Sequence, residues 1–170
     1  MSDKKIVIAG LENSGKTSIA YSLRGDINLL SLLSLTPTQE YKVENFDAEG
    51  IKYHVWDLAG QQKFRESRND SEFLDGADKV IFVIDIQDTE KYDMAIEYME
   101  QFIKQVPEGV EISIFLHKSD PQFDQENPFE KNNLVSELIN KIKIKMPPNV
   151  KYKLFKTSIY TVFDKMPISL

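Results

Sequence analysis

The sequence predicts an α/β fold with a mostly parallel six-stranded sheet, one antiparallel strand, and helices on both faces. Three observations lead there. Short apolar, β-rich runs alternate with stretches of helical periodicity, the order expected when parallel strands return through helices. Lys79 to Ile84 and Ile112 to Leu116 are nearly unbroken apolar runs, which suits central strands buried on both faces. Val43 to Phe46 and Ile51 to Trp56 flank Glu49-Gly50, a turn signal that pairs those two runs antiparallel. A chain of 170 residues can bury a substantial core without a second domain, so residues 1–170 are expected to form one domain.

The first strand is expected over Lys5 to Ala9. A helix follows from Lys16 to Leu23 and should end near Arg24-Gly25, where glycine can take the left-handed cap conformation. After the hairpin and the strand at Lys79 to Ile84, the residues Tyr92, Ala95, Ile96, Met99, Phe102, Ile103 and Val106 recur at three- and four-residue spacing. They give one helix an apolar, core-facing stripe. Asp120 to Asn133 is polar and holds Pro121 and Pro128, which reads as a surface loop. Leu134, Leu138 and Ile142, with Val135 and Ile139 beside them, mark a further amphipathic helix that ends before Pro147-Pro148. Tyr152 to Phe155 is the last strand, and Val162 to Leu170 leaves room for a short helix interrupted or ended by Pro167.

Composition narrows the function classes. There is no cysteine, hence no disulfide framework and no Cys-based metal site. No run approaches the roughly 18 apolar residues of a membrane span. Met1-Ser2-Asp3-Lys4-Lys5 leads straight into a strand, so a soluble cytoplasmic protein without a leader is expected. A net charge of -6 argues against sequence-independent nucleic-acid binding, which needs a basic surface to neutralise phosphates. The series Lys141, Lys143, Lys145, Lys151, Lys153 and Lys156 reads as the solvated side of the last helix and strand rather than a lipid-facing patch.

Residues 10 to 17 read Gly10-Leu11-Glu12-Asn13-Ser14-Gly15-Lys16-Thr17, a complete G-x-x-x-x-G-K-[ST] element between a strand and a helix. Backbone N–H groups of such a loop point into a concavity at a helix N-terminus, where the helix dipole adds a positive field, so a phosphate is the expected occupant. Lys16 should reach the β- and γ-phosphates of a nucleotide and the Thr17 hydroxyl a Mg²⁺ ion, with Glu12, Asn13, Ser14, Gly15 and Ser18 forming the cradle. Trp56-Asp57-Leu58-Ala59-Gly60-Gln61-Gln62 follows the second hairpin strand, and strand ends are where open α/β sheets bind ligands. Asp57 can hold a water on Mg²⁺, Gly60 can bring its N–H to a terminal phosphate, and Gln61 can orient an attacking water.

Ile114-Phe115-Leu116-His117-Lys118-Ser119-Asp120 is a further strand running into polar residues. The Asp120 carboxylate can accept both N–H groups of a guanine edge while the Lys118 stem lies along the base; adenine offers the opposite donor and acceptor pattern. Thr157-Ser158-Ile159, after the last strand, can close over the base through backbone N–H groups.

In this order the motifs resemble those of the Ras superfamily of small GTPases over essentially the whole chain, and the details point to its Arf and Rag branches. Gly10 to Thr17, continuing into Ser18-Ile19, is similar to their phosphate loop, including an acidic residue before the variable pair. Pro37-Thr38 stands ahead of the hairpin at an Arf-like distance from Trp56-Asp57, so the resemblance makes Thr38 the switch I threonine that senses Mg²⁺ and the γ-phosphate. Trp56-Asp57 followed by Gly60-Gln61 resembles the start of switch II. His117-Lys118-Ser119-Asp120 and Thr157-Ser158-Ile159-Tyr160 look Rag-like, His117 standing where most of the superfamily has asparagine. The resemblance implies a P-loop G domain that binds GTP or GDP with Mg²⁺. The metal would be held by Thr17, Thr38 and, through water, Asp57; Gln61, Lys16 and Thr38 would serve hydrolysis.

Departures from the pattern shape the expectations. Glu12 occupies a position where several members have glycine and can crowd the water and Gln61. The only arginines are Arg24, Arg65 and Arg68, none obviously placed on the phosphates, so slow hydrolysis is expected, with Arg65 and Arg68 the candidates to reach the phosphate in cis. No C-terminal roadblock domain of the Rag type is expected. Ser2 stands in place of a myristoylated glycine and there is no C-terminal cysteine to prenylate, so no direct lipid anchor is expected and membranes are reached through partners. The reading is a guanine-nucleotide switch of signalling or trafficking type. A nucleotide-binding scaffold with little turnover is the alternative, disfavoured because Thr17, Thr38, Asp57, Gly60 and Gln61 are all present. Effector, exchange factor and activating protein are not legible, and a dimer of two such domains stays open.

Overall fold

The strand ends on which the motifs depend gather along one edge of a mixed sheet. The computed structural model describes residues 2–25, 34–120 and 128–159, with side chains over 3–25, 34–120 and 133–159. Six strands, β1 (Ser2–Gly10), β2 (Tyr41–Ala48), β3 (Ile51–Leu58), β4 (Lys79–Asp85), β5 (Glu111–His117) and β6 (Tyr152–Lys156), hydrogen-bond in the order β2-β3-β1-β4-β5-β6. β2 and β3 pair antiparallel and the other pairs are parallel, as the sequence predicts. The register sets Ile8 beside Asp57 and Ile81, and Asp85 beside His117. The carboxyl ends of β1, β3, β4 and β5 therefore open on one side, the place where α/β sheets bind ligands.

The helices are α1 (Lys16–Arg24), α2 (Gln62–Ser67), α3 (Asp70–Leu74), α4 (Tyr92–Ile103) and α5 (Pro128–Lys145). Period-two alternation divides the strands between two cores. Val7, Ala9, Val80, Phe82, Ile84, Ile114 and Leu116 pack with Ala95, Ile96, Met99, Phe102 and Ile103 of α4 and with Val135, Leu138 and Ile142 of α5. Ile6, Ile8, Val55, Ile81 and Val83 pack on the opposite face with Ile19 and Ala20 of α1. Each Val, Leu, Ile, Phe or Met side chain among them that is fully removed from water contributes roughly 1.5–3 kcal/mol, and the two layers hold the sheet, and so the site edge, in place.

The hairpin turn sets both Glu49 (φ 51°) and Gly50 (φ 76°) left-handed, the two-residue geometry whose twist matches the flanking strands. β2 and β3 run further than their apolar runs indicate, because the ladder from Tyr41↔Leu58 to Ala48↔Ile51 satisfies backbone groups whatever the side chain.

Three differences from the sequence reading have physical reasons. α5 begins at Pro128, inside the stretch read as a loop from Asp120 to Asn133; proline lacks only an N–H that a first helical turn leaves unpaired, and its φ suits that position. Leu134, expected in the apolar stripe, is 37% exposed, whereas Leu138 and Ile142 of that stripe are buried as expected, together with Val135 and Met146. The helices α2 and α3 are too short and polar to announce themselves by periodicity. The short helix expected over Val162 to Leu170 lies outside the described residues. Lys141, Lys145 and Lys153 pair with Asp93, Glu100 and Glu111, an ion-paired flank and not a bare basic patch. No described helix is long and apolar enough to cross a membrane.

Candidate nucleotide site

The loop between β1 and α1 is wound through left-handed Asn13 (φ 60°) and Gly15 (φ 94°). Buried Ser14 closes it by donating from Oγ to the Leu11 carbonyl at 2.9 Å. Lys16, also buried, donates from Nζ to the same carbonyl at 2.6 Å. Burial pushes the Lys16 pKa down to about 8, against the pull of Asp57. A desolvated ammonium leaning on a neutral carbonyl favours an anion beside it.

At the head of α1, three segments far apart in sequence converge. Thr17 Oγ1 donates to Asp57 Oδ2 at 2.6 Å, Thr38 Oγ1 donates to the same oxygen at 3.0 Å, and the two hydroxyls lie 3.1 Å apart. Asp57 is 1% exposed, and burial raises its pKa, opposed by the Thr17 hydrogen bond and by Lys16. Its second oxygen, Oδ1, is buried without a hydrogen-bond partner. One orphaned carboxylate oxygen and two hydroxyls suit a hard cation that keeps most of its waters, so these residues fit Mg²⁺.

Gly60 completes the phosphate side. Its carbonyl accepts from the Glu12 N–H at 3.1 Å, and a Cβ there would meet backbone atoms of Leu11 and Glu12 at 2.4–2.5 Å, so a side chain would force the strand end away from the loop. Gln61 stands at the start of α2, its carbonyl accepting from the Phe64 and Arg65 N–H groups at 3.1 Å. Glu12, Asn13, Gly15, Lys16, Thr17, Ser18, Thr38, Gly60, Gln61 and Lys118 line a hollow of about 590 Å³. A second hollow of about 240 Å³ is lined by Gly15, Ser18, His117, Lys118, Asp120 and Ile159. The two share Gly15, Ser18 and Lys118, and together they match a ligand with phosphates at one end and a planar base at the other.

In the base lobe Lys118 is left-handed (φ 61°) and pairs with Asp85 at 2.7 Å. Asp120 accepts from the Ser158 hydroxyl on Oδ1 and from Gln87 Nε2 on Oδ2, the latter at 3.2 Å. Buried His117 meets Thr157 Oγ1 at 2.9 Å through Nδ1. Its ring fills the space over Gly15, where a Cβ would come within 2.4 Å of it. Burial, then Lys118, lowers the His117 pKa, which favours the neutral ring on the wall of the base lobe. Ile159 packs against the core on the α1 side. The described residues that the sequence assigned to nucleotide or metal thus line these two hollows or support residues that do.

A model of the ADP-ribosylation factor family matches residues 1–164. The chain belongs to the Arf family of small GTPases. ADP-ribosylation factor J of Dictyostelium discoideum is 30% identical over 144 residues, 83% of this chain and 71% of its own length. ADP-ribosylation factor-like protein 3 of Chlamydomonas reinhardtii is 29% identical over 120 residues, 69% of this chain and 64% of its own length. ADP-ribosylation factor 1 of Brassica rapa subsp. pekinensis is 31% identical over 119 residues, 69% of this chain and 62% of its own length. The match thus spans 62% to 71% of these curated relatives. The Arl6 BBS3 small GTPase from Trypanosoma brucei, with bound nucleotide analogue GppNp, shares the fold at a TM-score of 0.70 and 24% identity, over 92% of this chain and 87% of that one.

In this Arf-family chain the sequence reading missed Asp85 and Gln87, and the two arginines it named as able to reach the phosphate in cis, Arg65 and Arg68, are engaged elsewhere. Neither of the latter two points to the phosphate hollow. Arg65 donates from Nε to the Gly60 carbonyl at 3.0 Å and stacks over the Tyr98 ring at 4.8 Å. Arg68 is sealed between Asp70, Tyr98 and the carbonyls of Glu40 and Ala59. The one available signal for Asp85 was its place at the end of an apolar strand, where the other site carboxylates also stand.

Proposed function

We propose that this Arf-family chain is a guanine-nucleotide switch that binds GTP and GDP with Mg²⁺ and hydrolyses GTP slowly. The observation that carries the reading is the meeting of Thr17, Thr38 and Asp57 on one buried carboxylate. The phosphate loop, the segment before β2 and the end of β3 are the parts that a γ-phosphate would hold together and its loss would release. Lys16 neutralises phosphate oxygens, while Thr38 and the Gly60 N–H hold the terminal group. Gln61, on the rim of the hollow, orients the attacking water. Mg²⁺, when bound, supplies neutralisation of the charge that builds between the β- and γ-phosphates. Asp120 selects guanine by accepting from its edge.

An effector protein then reads the state of the two loops. Tyr41 stacks on Trp56 at 5.2 Å and meets Phe73 edge-on at 5.2 Å, directly beside Thr38 and the end of β3, and Tyr41 remains 43% exposed. An exposed tyrosine on a partly buried aromatic cluster of this kind supports protein recognition. The chain works in the cytoplasm and reaches membranes through partners.

The test is the nucleotide released when purified protein is denatured, followed by titration of the emptied protein with GDP and ADP. Guanine nucleotide and a strong preference for GDP are expected; adenine nucleotide, or no preference, overturns the reading.

A further inference from the structure

We infer that Gln87 sets the base specificity of the site by holding the Asp120 carboxylate in register with the guanine edge. The inference rests on the proposed reading of Asp120 as the guanine acceptor and goes one residue behind it. Gln87 lies just past β4, in a segment that no motif touches. Its side-chain Nε2 donates to the Lys118 carbonyl at 2.7 Å and to Asp120 Oδ2 at 3.2 Å. Both partners are acceptors, so the amide NH₂ must face them and the orientation of the side chain follows from chemistry. The Gln87 backbone N–H donates to Asp85 Oδ1 at 2.9 Å, and Asp85 Oδ2 pairs with Lys118 Nζ at 2.7 Å. One short segment therefore grips both base-contacting residues. Asp85 takes the lysine head; Gln87 takes the lysine carbonyl and the aspartate.

The grip answers two local needs. Lys118 stands at φ 61°, a region that residues with a Cβ seldom occupy, and its carbonyl has to be held for the turn to persist. Asp120, two residues further on and half-buried, has a carboxylate free to rotate unless both oxygens are engaged. Ser158 donates to Oδ1 and Gln87 to Oδ2, one on each oxygen. A carboxylate has about four acceptor positions, so each oxygen keeps capacity for one more donor. That remaining pair is what the adjacent N1–H and N2–H donors of guanine require. Gln87 is a positioning residue: it touches Asp120, not the nucleotide.

The experiment compares equilibrium affinities of the full chain for GDP, IDP and ADP in wild type, Gln87→Met and Gln87→Glu. Gln87 is exposed, and both variants keep the length of the side chain, so folding should survive. IDP lacks the 2-amino group and so reports on the second half of the bidentate contact. Loss of one charge-assisted donor should weaken GDP by about tenfold in Gln87→Met. IDP should weaken less, so the preference for GDP over IDP contracts; Gln87→Glu, which puts a carboxylate beside Asp120, should contract it further. Equal weakening of GDP and IDP, or an unchanged preference, would overturn the inference. A wild type that fails to separate GDP from IDP and ADP would overturn the Asp120 reading and the inference with it.

Discussion

Arg68 and Asp70 form an ion pair at 2.6 Å in which the side chains are only 6% and 7% exposed. The rest of the guanidinium is engaged as well. Nη2 donates to the Tyr98 hydroxyl at 2.9 Å, and Nη1 donates to the carbonyls of Ala59 at 3.0 Å and Glu40 at 3.3 Å. The Glu40 carbonyl also accepts from the Ala59 N–H at 2.8 Å. One cation thus joins the chain after Thr38, the end of β3, α3 and α4. Arg68 fastens the switch region to the core.

Arg68→Ala would leave Asp70 buried without its cation, a change that typically costs about 3–5 kcal/mol. Urea denaturation of the nucleotide-free protein should show a loss in that range. Combining it with Asp70→Asn should restore part, because the stranded charge is then gone. A loss under about 1 kcal/mol, the size of an exposed pair, would show that the fastening is not needed.

Lys16 carries a pH signature. Burial, opposed by Asp57, holds its pKa at about 8 instead of the usual 10.5. Between those values the unfolded chain keeps a proton that the folded chain has released. Stability of the nucleotide-free protein therefore rises with pH through that window, by up to about 3 kcal/mol over its full width. Phosphates in the cradle would restore the proton, so nucleotide affinity runs the other way: flat below the folded pKa and falling by up to about tenfold per pH unit above it. Stability of wild type against Lys16→Met, and GDP titrations of wild type, each followed upward from neutral pH, check both slopes. GDP affinity that stays constant well above the folded pKa would contradict the placement of Lys16 on the phosphates.

The sheet and the phosphate side of the site are legible in the sequence because both are written in local patterns. Ile6-Val7-Ile8-Ala9 followed by the glycine-bounded loop and Lys16-Thr17 specifies strand, loop and helix within a dozen or so residues. Pro128 was misread because proline counts as a breaker inside a helix and as a starter in its first turn, and spacing alone does not say which. The positioning role of Gln87 and the anchoring role of Arg68 are not legible for another reason. The contacts of Gln87 exist because β4 lies beside β5 with Asp85 opposite His117, and those of Arg68 because α4 brings Tyr98 under the switch. Neither neighbour is implied by anything near it in the chain.

Asp120 should behave as an acceptor-only group facing two donors. Asp120→Asn replaces one acceptor with a donor, so GDP should weaken strongly and XDP, whose edge carries an oxygen in place of the 2-amino group, should gain. Competition titrations with the two nucleotides measure the exchange. If both weaken alike in a folded protein, Asp120 supports the lobe without reading the base.

Gln61 has no arginine to assist it from within the chain. Arg24 pairs with Glu44 at 2.8 Å, Arg65 is bonded to the Gly60 carbonyl, and Arg68 is sealed beneath the switch. Phosphoryl transfer in a site of this kind depends on positioning and charge stabilisation, and an arginine supplied from outside is worth about 10³–10⁵ in rate. Single-turnover hydrolysis of GTP by the isolated protein should accordingly run at around 10⁻⁴ to 10⁻³ s⁻¹. If Gln61 orients the attacking water as proposed, Gln61→Leu should slow it further. GTP affinity should stay within a few-fold, because Gln61 stands on the rim of the phosphate hollow while Lys16, Thr17 and the loop amides make the grip. The split matters more than either number: a fall in rate at constant affinity assigns Gln61 to the attacking water. A parallel fall in both would make it a binding residue, and a rate untouched by Gln61→Leu would mean that another group orients the water.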